Sequence, residues 1–464
     1  GRFHTDWLNM MYPRLKLARN LLRDDGVIFI SIGDQEVQNL RKINDDIFGE
    51  ENFVTTIVWE KRYSPQNAVQ WFSEAHDFIL VYAKRKEIWQ PNLLERSDEM
   101  NARYRNPDHD PRGDWKPENA TAQAGHGTPA QFYDLVAPSG RTFAPPNGRC
   151  WVYTKKRMEE MIADNRVWFG STGESAPAIK RFITEVKQGI ACQTIWKYED
   201  VGHNQEAKKE IKDLFPEFVP FDTPKPKRLI KRILDLSTNN SEENIVLDFF
   251  AGSGTTAHGV FERNTEDNGN RRFILVQIPE PTEYEDYPAI SNVTKERLRR
   301  AATKIRAASA SQTGATGQLG LEDAFQPPAP APDLGFRVFK LDHSNIRAWN
   351  PQPADLEQAV IDYQDHLLAG RSESDILYEL LLKLGLDLCV PIATRQLAGL
   401  DVHAVGGGVL LACLAPAITS ADVEALAGGI IAWHQELAPA GESTCVFRDS
   451  AFEDDVAKTN LTAI

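Results

Sequence analysis

The segment with the clearest chemical content is NIVLDFFAGSGTT, residues 244–256. A short apolar run, a turn containing Gly252 and Gly254, and two threonines opening a new periodic stretch predict strand, glycine turn and helix. Glycines let the main chain approach a ligand closely. A helix start offers unpaired N–H groups and the positive end of its dipole, which suit a carboxylate or phosphate. No lysine follows the turn, and the spacing is not G-x-G-x-x-G, so neither of the common nucleotide-phosphate loops is present. A tight turn that binds nothing is the plain alternative. A second group is the polar, aromatic stretch with Trp59, Lys61, Arg62, Tyr63, Trp71, His76 and Asp77. A third is Arg105, Arg112, Lys116, Lys180 and Arg181, cations of the kind that contact phosphate or guanine, each more readily read singly as a solvated charge. His76 and Asp77 lack partners at metal-ligand spacing, and the five cysteines form no CxxC, so no metal is expected.

The elements that must hold these residues follow from periodicity. Leu8, Met11, Leu15, Ala18 and Leu22 mark a helix over 5–25, followed by a strand at 27–32 and a helix at 35–48. Strands are expected at 54–59 and 78–83. Residues 90–215 change character: short aromatic runs alternate with Gly, Pro, Asn and Asp, as in an irregular insertion. Order returns with a helix over 224–236, strands at 244–250 and 272–278, and a basic helix at 294–305. Residues 307–335, rich in Ala, Ser, Gly and Pro, read as a linker. An acidic domain at 336–464 follows, with a helix at 373–386 and strands near 407–414. The expected divisions are therefore 1–89, 90–215, 216–306, 307–335 and 336–464.

DFFAGSGTT resembles the S-adenosyl-L-methionine (AdoMet) motif of DNA amino-methyltransferases, commonly DPF.GSGTT. FDTPKPKRL at 221–229 is similar to the segment that precedes this motif when it lies late in the chain. Residues 4–40 are similar to the stretch after the family's catalytic tetrapeptide, and VWEK (58–61) and HDFILVY (76–82) resemble its next strand pair. NPDHDPRGDWKP (106–117), YEDVGHNQEAKKE (198–210), LYELLLKLGL and DDVAKTN resemble the modification subunit of type III restriction–modification systems. The motif order is that of the β arrangement: catalytic half, target-recognition insertion, AdoMet-binding half. The resemblance implies an α/β fold: a doubly wound, Rossmann-like methyltransferase sheet, an inserted α+β target-recognition domain and a C-terminal α/β domain. It implies adenine-N6 methylation of a flipped base in double-stranded DNA, in a cytoplasmic homodimer. No Walker A sequence is present, so cleavage would need a partner restriction subunit with helicase and nuclease activity.

The same resemblance implies residue roles. Ala251, Gly252, Ser253 and Gly254 would wrap the methionyl part of AdoMet, with Thr255 and Thr256 at its carboxylate. Asp248 would contact its amino end or, alternatively, cap the loop amides. Phe249 and Phe250 would flank the ligand, unless one packs in the core. Pro224, Lys225 and Pro226 would close the methionyl side. Gln277 stands where the family often places a ribose-binding acid, with Glu280 as substitute. Trp59, Lys61, Arg62, His76 and Asp77 would face DNA and the flipped base, joined on DNA by Arg112 and Lys180; the alternatives are ordinary core for Trp59 and a local structural pair for His76 and Asp77. The (Asp/Asn/Ser)-Pro-Pro-(Tyr/Phe/Trp) tetrapeptide is missing; SPQ (64–66), APPN (144–147) and QPPA (326–329) fail by type or position. That tetrapeptide would stack the extruded base and accept its amino hydrogens. Catalytic residues are therefore unassigned, and the expectation is an N-terminally truncated methyltransferase, inactive alone. The alternatives are a non-catalytic DNA-recognition or assembly module, and cytosine-N4 methylation. A nicotinamide dehydrogenase is disfavoured by the missing G-x-G-x-x-G and ribose acid.

Composition sets outer bounds. The 464 residues carry a net charge of −14, yet 336–464 alone hold 8 Lys and Arg against 18 Asp and Glu. Residues 91–215 hold 18 of each sign, so a basic face for nucleic acid is not excluded. No apolar run reaches the roughly 18–20 residues of a membrane span.

Overall fold

The first sheet begins with three strands, β1 (Val27–Ile32), β2 (Phe53–Glu60) and β3 (His76–Ala83), and a fourth joins it later in the chain. The computed structural model describes residues 2–315, 332–348 and 366–463. Helices α1 (Arg2–Leu21) and α2 (Val37–Phe48) flank β1 in sequence. Leu40, Asn44 and Phe48 recur at four-residue spacing on α2 and are buried. Leu40 and Phe48 join Met11 and Leu15 of α1 and Leu80 and Tyr82 of β3 in one core. The Tyr82 hydroxyl donates to Asp45 (2.7 Å), which satisfies the one polar group on that buried ring. β3 runs antiparallel between β1 and β2, with Trp59 opposite Asp77 and Glu60 opposite His76.

After β3 the chain leaves the sheet and returns to it. Leu94 and Ile190 form an antiparallel bridge that closes the excursion at its neck. Within it, β4 (Trp115–Asn119), α3 (Lys155–Ala163), β5 (Val167–Trp168) and β6 (Ala178–Phe182) surround a core of Trp151, Met158, Met161, Phe169 and Ile179. β7 (Ile195–Trp196) then pairs in parallel with β2, placing Trp196 beside Trp59. α4 (Asn204–Leu214) buries Ile211 and Leu214 against Phe215 and Val293. Residues 195–214, expected within the insertion, thus pack on the elements that flank it. Their apolar residues match the core of the host rather than that of the excursion.

The last part of this unit contains α5 (Lys227–Ser237), β8 (Ile245–Asp248), α6 (Thr255–Asp267), β9 (Arg272–Leu275) and α7 (Ile290–Ala315). β8 and β9 are parallel, with Val246 opposite Phe273. Gly259 lets α6 approach α5 closely, since a Cβ there would lie 3.0 Å from Ile230. Outside the excursion the strands form two sheets, β1-β3-β2-β7 and β8-β9, while β4-β6-β5 is a separate sheet within it. β1 and β8 each keep an edge without a strand partner among the described residues. α7 continues to Ala315, into the expected linker, because its alanines are strong helix formers. The rest of the linker, 316–331, lies outside the described residues.

The chain divides into two compact units, 1–334 and 335–464. In the second, α8 (Glu373–Leu384), β10 (Ile392–Leu397), β11 (Leu400–Val405), β12 (Leu410–Cys413), α9 (Val423–Leu437), β13 (Thr444–Phe447) and α10 (Asp455–Ala463) follow in order. The sheet order is β10-β11-β12-β13, with the last pair parallel. Leu377 and Leu381 of α8 pack with Leu410 and Ala412, while Leu426, Ile430 and Trp433 of α9 pack with Leu411 and Cys413. Alternate residues of β12 thus feed two cores, as in an α/β layer arrangement. Among the described residues, no helix is long and apolar enough to cross a membrane.

Candidate functional site

The glycine turn leaves β8 at Asp248. The Asp248 carboxylate accepts from the Phe250 N–H (3.1 Å) and from the Thr256 hydroxyl (2.6 Å). Asp248 therefore caps the turn, the second of its two expected roles, and the Thr256 hydroxyl is committed to it. The Ala251 N–H donates to Val276 O (3.2 Å), and the Gly254 N–H donates to Ala251 O (2.8 Å). Gly252 and Gly254 have φ of +51° and +81°, in the left-handed region that other residues enter at a cost. A Cβ on Gly252 would lie 3.2 Å from the Phe221 ring, and one on Gly254 would lie 2.9 Å from Thr294 Cγ2. The turn is thus held between the 221–226 segment and α7. Gln277 does not stand free for a ribose. Its Oε1 accepts from the Gly252 N–H (2.7 Å) and its Nε2 donates to Ile278 O (3.0 Å), because the turn amide lies within its reach. Glu280 remains exposed, as does half of Phe250 beside Phe249.

A second cluster joins the ends of β2 and β3 to the 224–226 segment. Lys61 Nζ donates to Asp77 (2.7 Å), and Lys225 Nζ lies 3.7 Å from the same carboxylate and 5.0 Å from the Trp59 ring centre. Burial lowers the Lys225 ammonium below the ordinary lysine range, against the opposing pull of Asp77. Beside this cluster is a cavity of about 340 Å³ lined by Lys61, Arg62, Tyr63, His203, Lys208 and Pro224. His203 stacks with Tyr63 (5.1 Å) and Tyr198 (5.6 Å). At the open end of the β2–β3 loop, Trp71 and Phe72 are 82% and 92% exposed. Cations next to bare aromatic rings are the composition of a surface that grips nucleic acid. His76 is exposed and meets Phe78 edge-on.

Three expected DNA contacts are corrected. Trp59 is fully buried and its Nε1–H donates to Gly202 O (2.9 Å), so it is core. Lys180 is buried with Asp108 and Asp110 as partners, the latter at 3.3 Å, and lies over the Trp115 ring. Its charge is neutralised inside the insertion. Arg112 grips Asp110 with Nε and Nη2, both at 2.8 Å, and reaches Asp164 at 3.1 Å. That pairing holds the Asp110 carboxyl well below the usual carboxylate range. Arg105 and Arg181 remain exposed, and Lys116 is within 3.5 Å of Glu118. Among the described residues, no group of three or more His, Cys, Asp or Glu could hold a metal ion.

Behind the turn is a buried polar network. Arg297 of α7 is fully buried, and its Nη1 donates to Ser253 Oγ (2.8 Å) and Thr255 Oγ1 (2.7 Å). Burial lowers its pKa to about 10, so it stays a cation at neutral pH. Burial also pushes His258 down to about 4, with Glu262 3.3 Å from its Nε2. Glu210 accepts from the Lys227 backbone N–H (3.1 Å) and burial pushes it up to about 7. A raised carboxyl pKa contributes stability that is complete below the unfolded value near 4.5 and is lost as pH rises through about 7. Glu210→Gln should therefore flatten the fall in melting temperature between about pH 5 and 8, by about 2–5 °C. Parallel melting curves for the variant and the parent would overturn this.

Residues 2–280 match the family model described as DNA methylase. The chain belongs to the DNA methylase family. This DNA methylase is 37% identical over 350 residues to the type III restriction-modification enzyme StyLTI Mod subunit of Salmonella typhimurium, covering 73% of the chain and 48% of the relative. It is 29% identical over 465 residues to the EcoP15I Mod subunit of Escherichia coli, covering 91% and 66%. The chain thus spans about half to two-thirds of the length of these curated relatives. PvuII DNA methyltransferase (cytosine-N4-specific) is a solved structure 10% identical to it, with a TM-score of 0.31 over 64% of this chain and 77% of the other. In this chain, sequence reasoning passed over Arg297, Thr294, His258 and Glu210. The one available signal was the basic character of the helix that carries Thr294 and Arg297.

Proposed function

We propose that this DNA methylase carries the AdoMet-binding half and the target-recognition insertion of a site-specific adenine-N6 methyltransferase, the modification subunit of a type III restriction–modification system. The observation that carries the reading is the glycine turn between β8 and α6, with two glycines at positive φ and a helix start beside half-exposed Phe250. These features fit AdoMet, which supplies an activated methyl group when bound. Gly252 and Gly254 let main-chain atoms close on the methionyl part, and the first-turn amides of α6 suit its carboxylate. Pro224, Lys225 and Pro226 bound the same side, and Phe250 offers a face to an adenine ring. Ser253, Ala251, Phe249, Thr255 and Thr256 shape the turn from within. Lys61, Arg62, His76 and the Trp71–Phe72 loop are assigned to double-stranded DNA. The adenine assignment rests on the motif order and on the likeness to Mod subunits. From that likeness follow the further proposals of a homodimer and a restriction-subunit partner.

Calorimetry with AdoMet tests the cofactor half of this reading; no heat of binding by the folded wild type would overturn it. Tritiated methyl transfer to unmodified DNA, with digestion to nucleosides, tests the base. N6-methyladenine supports the proposal, N4-methylcytosine selects the other amine, and incorporation into neither points to a recognition module. Exchanging residues 95–189 for those of a relative should change the DNA sequence bound while leaving the AdoMet dissociation constant within about threefold, since the turn draws no partner from that range. A mobility-shift selection against a random duplex pool reads this. An unchanged site would place specificity elsewhere.

A further inference from the structure

A buried guanidinium normally sits against a carboxylate, because an unpaired buried charge costs several kcal/mol. Arg297 does not. Its direct hydrogen bonds go to the hydroxyls of Ser253 and Thr255, and its Nε lies 3.5 Å from His258 Nδ1. Its Nη2 is buried without a hydrogen-bond partner among the described residues. The two hydroxyls belong to the glycine turn and to the first residue of α6. One helical turn earlier on α7, the Thr294 hydroxyl lies 2.6 Å from Gly252 O and 3.0 Å from Ile290 O. α7 therefore touches the turn at residues 252, 253 and 255.

The chemistry of these bonds has a direction. A guanidinium only donates, so Ser253 and Thr255 must accept from it. Each hydroxyl then has its own proton left to give. Arg297 thereby converts both side chains into donors at a helix start, and places a positive charge behind them. That arrangement is complementary to an anion and hostile to a cation.

We infer that Arg297 and Thr294 are positioning residues for the carboxylate end of the bound cofactor, Arg297 by orienting the Ser253 and Thr255 hydroxyls as donors and Thr294 by fixing the Gly252 carbonyl. This rests on the AdoMet reading of the turn. The carboxylate is the group recognised, so ligands that lack it are indifferent to Arg297.

The test compares AdoMet with 5′-methylthioadenosine, which keeps the nucleoside and the S-methyl group, as a neutral thioether in place of the sulfonium, but has no amino-acid end. Calorimetry on Arg297→Met should show AdoMet weakened roughly 10- to 100-fold, with methylthioadenosine changed less than about threefold. Arg297→Lys keeps the charge but not the two-pronged geometry, and should recover only part of the loss. Thr294→Ser should match the parent, whereas Thr294→Val, of equal shape, should weaken AdoMet and speed amide exchange in residues 249–257. If Arg297→Met does not fold, as read by circular dichroism, Ser253→Ala and Thr255→Val make the same comparison. Equal loss for both ligands, or no loss for either, would overturn the inference and leave Arg297 as scaffold. A wild type that binds neither ligand would instead overturn the AdoMet reading itself.

Discussion

Gly252→Asp should abolish measurable AdoMet binding, raising the dissociation constant at least about 100-fold while the chain stays folded. Three effects act together. Gly252 has φ +51°, where a residue with a side chain costs roughly 1–2 kcal/mol. The new Cβ would meet the Phe221 ring at 3.2 Å, so the 221–226 segment must move away from the turn. The added carboxylate would also stand where the turn and the α6 start await an anion, and like charges repel most strongly where water is excluded. Calorimetry with a circular-dichroism control measures this. A folded variant with parental affinity would remove AdoMet from this turn.

Lys180→Met should have the largest effect on stability. The side chain is fully buried, Asp110 beside it is fully buried, and Asp108 is nearly so. Removing the ammonium leaves Asp108 without its cation and Asp110 with Arg112 alone, in a site with Trp115 and Trp168 as walls. Breaking such a pair by deleting one partner costs about 3–5 kcal/mol. The insertion should melt first, and limited proteolysis should cut within 95–189 at temperatures the parent withstands. Neutralising Asp108 as well, in Lys180→Met/Asp108→Asn, should restore much of the loss, because the uncompensated charge is then gone while Asp110 keeps Arg112. A Lys180→Met variant that melts like the parent but loses DNA affinity would return Lys180 to the surface and to DNA.

The regular elements were legible because their cores are local. The four-residue spacing on α2, the apolar run of β1 and the strand–glycine turn–helix at 244–256 each announce themselves within about a dozen residues. The cations of the insertion were not legible in this way. Whether Lys180 touches DNA depends on Asp110, 70 positions away, and whether Arg112 is free depends on Asp164. Local composition makes both residues basic and says nothing of the acids that meet them. Trp59 was readable as core or as DNA contact, and stayed undecided for a related reason. A strand exposes alternate faces, and only the return of β7 and the carbonyl of Gly202 decide that this face is interior. At the turn, Asp248 was readable in both of its roles. Gln277, Thr294 and Arg297 reach the turn across 25 to 44 positions, beyond any short motif.

The neck at Leu94 and Ile190 has an evolutionary consequence. The chain departs and returns through one hydrogen-bonded pair, with Asn92 anchored outside it to Asp235 O and Thr238 O. Everything between 95 and 189 can therefore be traded by recombination without moving a strand of the host sheet. Loop closure is indifferent to size at this level, each doubling of length adding only about 0.6 kcal/mol. On the proposed reading of the insertion, recognition modules of very different lengths can descend from one another on an unchanged frame, and lineages can diversify the DNA words they read faster than the chemistry they perform.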